Sequence, residues 1–371
     1  MSETLTATPA DKLLGLEALR FVAAGAVLIW HYQHFARTGD MPAAVVKAQL
    51  PLYGLLSPFY DTGSFGVMIF WAISGFIFSW KYRDAIADRS IGAWTFFVLR
   101  LSRLYPLHFV TLLMVASLQP IYHHLQGSFF IYSNNDLENF VLQLFLASEW
   151  SMTSTSSFNG PIWSVSNEVL VYVAFFLTLR FVTKSLLLNV IVVITCATLS
   201  APVASCLTFF YTGTLAAIGR HAVARTQFRL PIEAAAWCTM AAIAVSLGIS
   251  GAHTATPYWM VLASTIVLLF CLSGNLPIPP SWQRPLQAAG SMTYSSYLLQ
   301  FPIQLVIVIA FAVAGRPIPL YDYLFLVAVV GTTLLTSFFT YRYFEAPAQK
   351  LIRGCLMTNQ WWLRGKAVAT P

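Results

Sequence analysis

Apolar runs close to bilayer length recur along this chain of 371 residues, at about 13–35, 64–80, 104–120, 162–182, 186–201, 203–219, 232–250, 257–274, 291–311 and 322–343. A spanning helix needs roughly 20 predominantly apolar residues. In hydrocarbon each segment must satisfy its own backbone N–H and C=O groups, so runs of this kind fold as helices. Hydrophobic residues make up 57% of the sequence and charged residues only 9%, well outside the composition of soluble domains. The chain therefore reads as an all-α polytopic integral membrane protein with about ten transmembrane helices, and the lipid bilayer is its first partner.

The basic residues orient these runs. With a cytoplasmic N-terminus, Lys12, Arg20, Lys81, Arg83, Arg100, Arg103, Arg180, Lys184, Arg220, Arg342 and Arg353 fall at cytoplasmic ends, and only Arg37, Lys47 and Arg316 fall outside. That asymmetry predicts an even number of spans with both termini cytoplasmic. The net charge of +7 then reflects topology and anionic lipid rather than nucleic acid. The expected organisation is a tail over 1–12, one membrane domain over 13–353 and a cytoplasmic tail over 354–371. The first run has no small-residue cleavage site and reads as a retained signal-anchor. Cys196, Cys206, Cys238, Cys271 and Cys355 lack metal-type spacing and read as buried packing residues. No metal is expected.

Within the first run Arg20 and His31 stand eleven residues apart. Eleven helical steps return to within about 20° of the same face and climb about 16 Å. A guanidinium and an imidazole thus share one stripe of a membrane helix. An ionisable group at such depth is costly, about 2.5–3.5 kcal/mol for Arg, and faces a bundle interior or a wet cavity, so the pair suggests a lined site. Equally, Arg20 can snorkel to the surface beside Glu17 while His31 sits at the opposite interface.

Four further elements carry chemistry-bearing residues. After the second run, Ile91, Trp94, Phe97 and Val98 recur at helical spacing and predict a short interfacial helix. Arg100 and Arg103 follow at i and i+3, and Pro106 suits the first turn of the next helix, whose free N–H groups attract anions. This arrangement fits phosphates or lipid headgroups. In the second run Gly63, Gly66 and Gly75, with Ser74, let a helix or a ligand approach closely. The external connection of about 121–162 carries Asp136, Glu138 and Glu149 but no Lys or Arg, and suits a polar ligand such as a sugar. It leads into Asn167 and Glu168, a carboxylate available to His31, as in acyl-transfer dyads, or to Arg20. Finally, SMTYSSYLLQFPIQL reads as a hydroxyl-rich helix start, and in YRYFEAPAQKLIR Glu345 and Pro347 read as the end of the last helix.

In order, these segments resemble the family-3 membrane acyltransferases. Arg20 and His31 match an Arg/Lys-x10-His first helix, GVMIFWAISGF a G-x-x-x-F-F-x-x-S-G-F segment, RLSRLYP an R-x-x-R-I-x-P segment, WSVSNE a W-S-[LV]-x-x-E element and FEAP an f-E-x-P element, over about residues 13–353. The resemblance implies a cytoplasmic acyl-CoA donor, most often acetyl-CoA, a hydroxyl on a surface or lipid-linked glycan as acceptor, and a place in the bacterial inner membrane. It implies CoA phosphates at Arg100 and Arg103, and a pantetheine arm passing Arg20 with room from Gly66, Ser74 and Gly75. His31 would be general base or acyl carrier, with Glu168 orienting its imidazole. Two positions depart from the pattern: Leu99 stands where an additional Arg is frequent, and Gln300 stands where His is usual. Gln can hydrogen-bond but cannot shuttle a proton.

The chief rival is a transporter or flippase for a glycolipid or small organic acid. Inverted repeats around broken helices would mark it, and the sequence has no convincing repeat. A membrane acyltransferase with a His/Asn core would not place its histidine on the first helix. A scaffold has little use for Glu17, Arg20, His31 and Glu168 inside apolar runs. The residues fix neither acceptor nor acyl length, and a homo-oligomer stays open.

Overall fold

The computed structural model describes residues 13–38, 41–42, 45–150, 156–250 and 258–367. The expected tail over 1–12 lies outside the described residues. The architecture is helical: α1 Leu14–Tyr32, α2 Tyr53–Thr62, α3 Phe65–Ala87, α4 Ala93–Gln126, α5 Leu137–Leu144, α6 Ile162–Leu177 and α7 Leu186–Cys196, followed by α8 Pro202–Ala224, α9 Arg229–Ser250, α10 Tyr258–Leu272, α11 Pro280–Ser291, α12 Thr293–Val313, α13 Tyr323–Thr340 and α14 Ala346–Ala367. A two-residue antiparallel β pair, Arg37–Thr38 with Met41–Pro42, follows α1.

Seven of the described helices, several lengthened by a continuing turn, are long and apolar enough to cross a membrane, the basis of a polytopic fold. They are α1, α3, α4, α6, α8, α12 and α13 running into α14. The runs expected to span at 186–201 and 257–274 are the shorter apolar helices α7 and α10, with 11 and 15 residues, or about 16 and 22 Å. α9 stands outside the seven.

Two helix ends expected from proline are absent. α4 runs unbroken through Pro106 and Pro120, so no interfacial helix stops before Pro106 and no free helix N-terminus opens there. Likewise α13 passes through a π-helical turn, Tyr341–Glu345, straight into α14 beyond Pro347. Membrane helices tolerate proline where neighbouring groups and local π adjustments re-satisfy the backbone. The segment expected as a tail, 354–371, is accordingly helical as far as Ala367.

The tightest packing joins α3 to α8. A Cβ on Gly75 would collide with the Phe210 carbonyl oxygen, and one on Gly213 with that of Ala72. Thr214 donates to the Gly75 carbonyl at 3.3 Å and Trp80 meets His221 farther along. Contacts advance along both helices together, so the two run parallel. Small residues bring the backbones close because lipid tails provide no hydrophobic drive between helices. Around this seam Trp71, Phe76, Phe78, Phe96, Phe175, Phe209 and Phe210 fill the core. Cys206 and Cys271 are buried as expected, but Cys238 and Cys355 are exposed; a membrane protein keeps much of its apolar surface for lipid.

Candidate active site

Two glycines bring three helices together at the start of α1. A Cβ on Gly15 would collide with the Leu272 carbonyl of α10, and one on Gly290 of α11 with Glu17. Glu17 pairs with Arg20 one turn on, at 3.5 Å. Arg20 then lines a cavity, together with Arg100 and Arg103 of α4, Ser74 of α3, Glu168 of α6 and Tyr297 of α12.

The cavity wall is strongly cationic, with three guanidinium groups against the single carboxylate of Glu168. Glu168 accepts from the Tyr172 hydroxyl at 2.5 Å and from Ser74. Arg100 is held by donation to the Tyr82 hydroxyl at 2.7 Å and by the Phe78 ring, 4.7 Å from its guanidinium carbon. α14 brings Arg353 to the same stretch of α4, donating to Ser102 Oγ at 3.0 Å and the Leu99 carbonyl at 3.2 Å. Glu345 is buried and accepts from Ser295 at 2.5 Å. Fixed guanidiniums around a concave, low-dielectric site focus a positive field and grip phosphate oxygens in bidentate fashion.

His31 lies farther along. It is buried, and its Nδ1 stands 2.9 Å from the Val27 carbonyl oxygen. A carbonyl only accepts, so Nδ1 carries the hydrogen, and in the neutral form of the ring the lone pair is on Nε2. A second buried imidazole, His34, meets His31 edge-on with ring centroids 4.8 Å apart. Gln304 ties the two together: Nε2 donates to the His31 carbonyl at 3.0 Å, and Oε1 stands 3.1 Å from His34 Nδ1. The connection between α4 and α5 reaches this end, with Tyr132 against both His34 and Phe301. Ile131 in this connection and Phe158 after α5 hold positive φ of 64° and 39°, conformations that cost energy in bulky residues and cluster at functional sites.

This order of features along α1, a guanidinium in a cationic cavity and then a buried imidazole, coincides with a sequence match: the acyltransferase domain model of family 3 fits residues 13–342. The chain belongs to the family 3 acyltransferases. It is also similar to the acyltransferase MdmB of Streptomyces mycarofaciens, 28% identical over 175 residues. That match takes in 47% of this chain and 41% of the relative, so the chain covers well under two thirds of that protein. No solved structure matches.

Within this family 3 acyltransferase the residues singled out in the sequence divide into three groups. Arg20, Arg100, Arg103, Ser74 and Glu168 share the cavity. His31 is not among the lining residues, and its Nδ1 partner is Val27, not Glu168. The expected orientation of the imidazole by Glu168 is therefore corrected: an i−4 carbonyl on its own helix fixes the tautomer. Gly66 and Gly75 also leave the ligand group, because they face neighbouring backbones, Ala23 of α1 and Phe210 of α8. Glu345, read as part of a charged membrane exit, is instead buried against Ser295 of α12. Sequence reasoning missed His34, Gln304 and Arg353. For Gln304 a signal existed: Gln300 and Gln304 form an i, i+4 polar pair in an otherwise apolar helix.

Proposed function

We propose that this protein is a membrane O-acyltransferase of the bacterial inner membrane, moving an acyl group, foremost acetyl, from cytoplasmic acyl-CoA to a hydroxyl of a surface or lipid-linked glycan. The observation that carries this reading is the cavity in which Arg20, Arg100 and Arg103 converge, eleven residues of one helix below His31. That separation is about 16 Å, comparable to an extended pantetheine arm. The nucleotide phosphates rest among the arginines at the cytoplasmic end, where the start of α1 and Arg353 also lie, consistent with both termini on that side. The thioester is carried up toward His31.

His31 Nε2 takes the proton of the acceptor hydroxyl as its oxygen attacks the thioester carbonyl. The C–S bond breaks, the C–O bond of the ester forms, and the proton passes to the departing thiolate. The aromatic external connection beside His34 suits a sugar ring, which supports a glycan acceptor on the far side. A transporter draws no specific support, since a substrate site at the midplane between paired broken helices is what would mark it, whereas the charged side chains of α1, α4 and α6 gather at the cavity and the imidazole lies farther along α1.

The decisive experiment supplies purified protein in proteoliposomes with labelled acetyl-CoA and a panel of glycan acceptors. Acetyl transfer, or slow hydrolysis without acceptor, is expected; no consumption with any acceptor would overturn the reading. Arg103→Ala is expected to weaken CoA binding by about tenfold or more, the scale of a lost charge-assisted hydrogen bond, as read by equilibrium binding. Glu168→Gln is expected to change the KM for acyl-CoA several-fold and leave the pH profile of kcat in place. A displaced profile would put Glu168 back in contact with His31.

A further inference from the structure

Gln300 is 1% exposed, and both polar atoms of its carboxamide lack a hydrogen-bond partner. A buried amide left in that state is costly, and native proteins rarely keep one without a use for it. Its place on α12 says what the use is. Tyr297, Gln300 and Gln304 fall at i, i+3 and i+7 and share one face of the helix. Tyr297 lines the cationic cavity, and Gln304 donates to the His31 carbonyl. Tyr297 and Gln304 are separated by about 10 Å of helix rise, and Gln300 stands between them. α12 runs in the same direction as α1, with Gly290 just before it against Glu17 and Gln304 against His31. The unpartnered amide thus occupies the interval between the end of the cavity and the imidazole. At the same stretch of α12, Asn159, fully buried, donates to the Leu298 carbonyl at 3.2 Å and leaves its own Oδ1 without a partner.

We propose that Gln300 binds the thioester carbonyl of the acyl donor, its Nε2–H donating to the carbonyl oxygen as the acyl group crosses from the cavity to His31. The inference rests on the acyl-CoA reading above and adds a residue to it. As the acceptor oxygen attacks, the C=O electron pair moves onto that oxygen, and a preorganised donor stabilises the charge before the C–S bond breaks. Buried in the helix bundle, the amide has little room to reorient, so it serves as a preorganised donor.

The test uses full-length protein in nanodiscs and three probes: CoA, S-ethyl-CoA, and the ketone analogue of acetyl-CoA with CH2 in place of the thioester sulfur. The wild type is expected to bind the ketone about tenfold tighter than S-ethyl-CoA, the scale of one buried hydrogen bond made or lost. Gln300→Met, of similar volume and with no N–H, is expected to abolish that preference and leave CoA affinity unchanged. It should also raise the melting temperature of the ligand-free protein, because an unpaired amide has been removed. Unchanged CoA affinity reports that the variant is folded; Gln300→Ser serves if Met does not insert. A wild type that binds CoA without preferring the ketone, or a variant that keeps the preference, would overturn the proposal and leave the amide to internal water. Failure of the wild type to bind CoA would refute the donor reading itself and this assignment with it.

Discussion

His31→Ala is expected to lower acyl transfer by about 10²–10⁴-fold, the contribution of a positioned general base, with the protein still in the membrane and CoA affinity unchanged. The separation of these readouts follows from the geometry: His31 is absent from the residues lining the cavity that holds Arg20, Arg100 and Arg103. Its ring hydrogen-bonds to its own helix at Val27, and the link from Gln304 goes to the His31 backbone carbonyl, which alanine keeps. The measurement is single-turnover transfer from labelled acetyl-CoA beside equilibrium CoA binding. A correctly inserted His31→Ala protein that transfers at the wild-type rate would move the chemistry elsewhere, and His34, 4.8 Å away between ring centroids, would be the next residue to replace.

Gly75→Leu is expected to prevent assembly of the bundle, or to destabilise it by about 3 kcal/mol, the upper part of the range for overpacking. The added side chain would meet the Phe210 carbonyl, and Gly213 places the Ala72 carbonyl equally close from the other helix. Backbone cannot rotate aside as a long side chain can, so α3 and α8 would have to separate and open the aromatic core around Phe78 and Phe210. Monodispersity in detergent and the melting temperature of the purified protein report the effect. A Gly75→Leu variant that melts normally but loses CoA binding would instead return this glycine to the ligand path. Gly66→Leu, which would meet Ala23 and Val27 of α1, is expected to behave in the same way with a smaller effect, since Val27 offers a side chain that can shift.

The helical membrane class was legible because hydrocarbon leaves the backbone almost no other choice, and apolar composition over twenty residues is a local property. The Arg20–His31 stripe was legible for the same kind of reason: both residues sit on one helix, and helical geometry fixes their faces and separation. The pairing of Arg100 and Arg103 needed only i, i+3 spacing. Proline misled at Pro106 and Pro347, where local propensity signalled a break but packing and a π turn kept the helices continuous. Charge misled at Glu345, which sits near basic residues in sequence yet is buried against Ser295 of α12.

What no local signal carried is which helix faces which. Glu168 was equally open to His31 or to the arginines; Tyr172 meets it one turn on along α6, but only the placement of α6 among the other helices gave it to Ser74 and the guanidinium cluster. Gly66 and Gly75 suited helix packing first and a ligand second, and the approach of α1 and α8 decided for backbone. Arg353 reaches α4 across some 250 residues of chain, with |i−j| of 251 to Ser102, and Gln304 reaches His31 across 273. The sequence by itself determined the bilayer as solvent, the helices, and the two ionisable groups on α1, because periodicity and transfer energy act within a segment. The tertiary structure decided the partners of each polar group, because in the membrane interior an unpaired charge or amide is so costly that its position is set by whatever other helices bring to meet it.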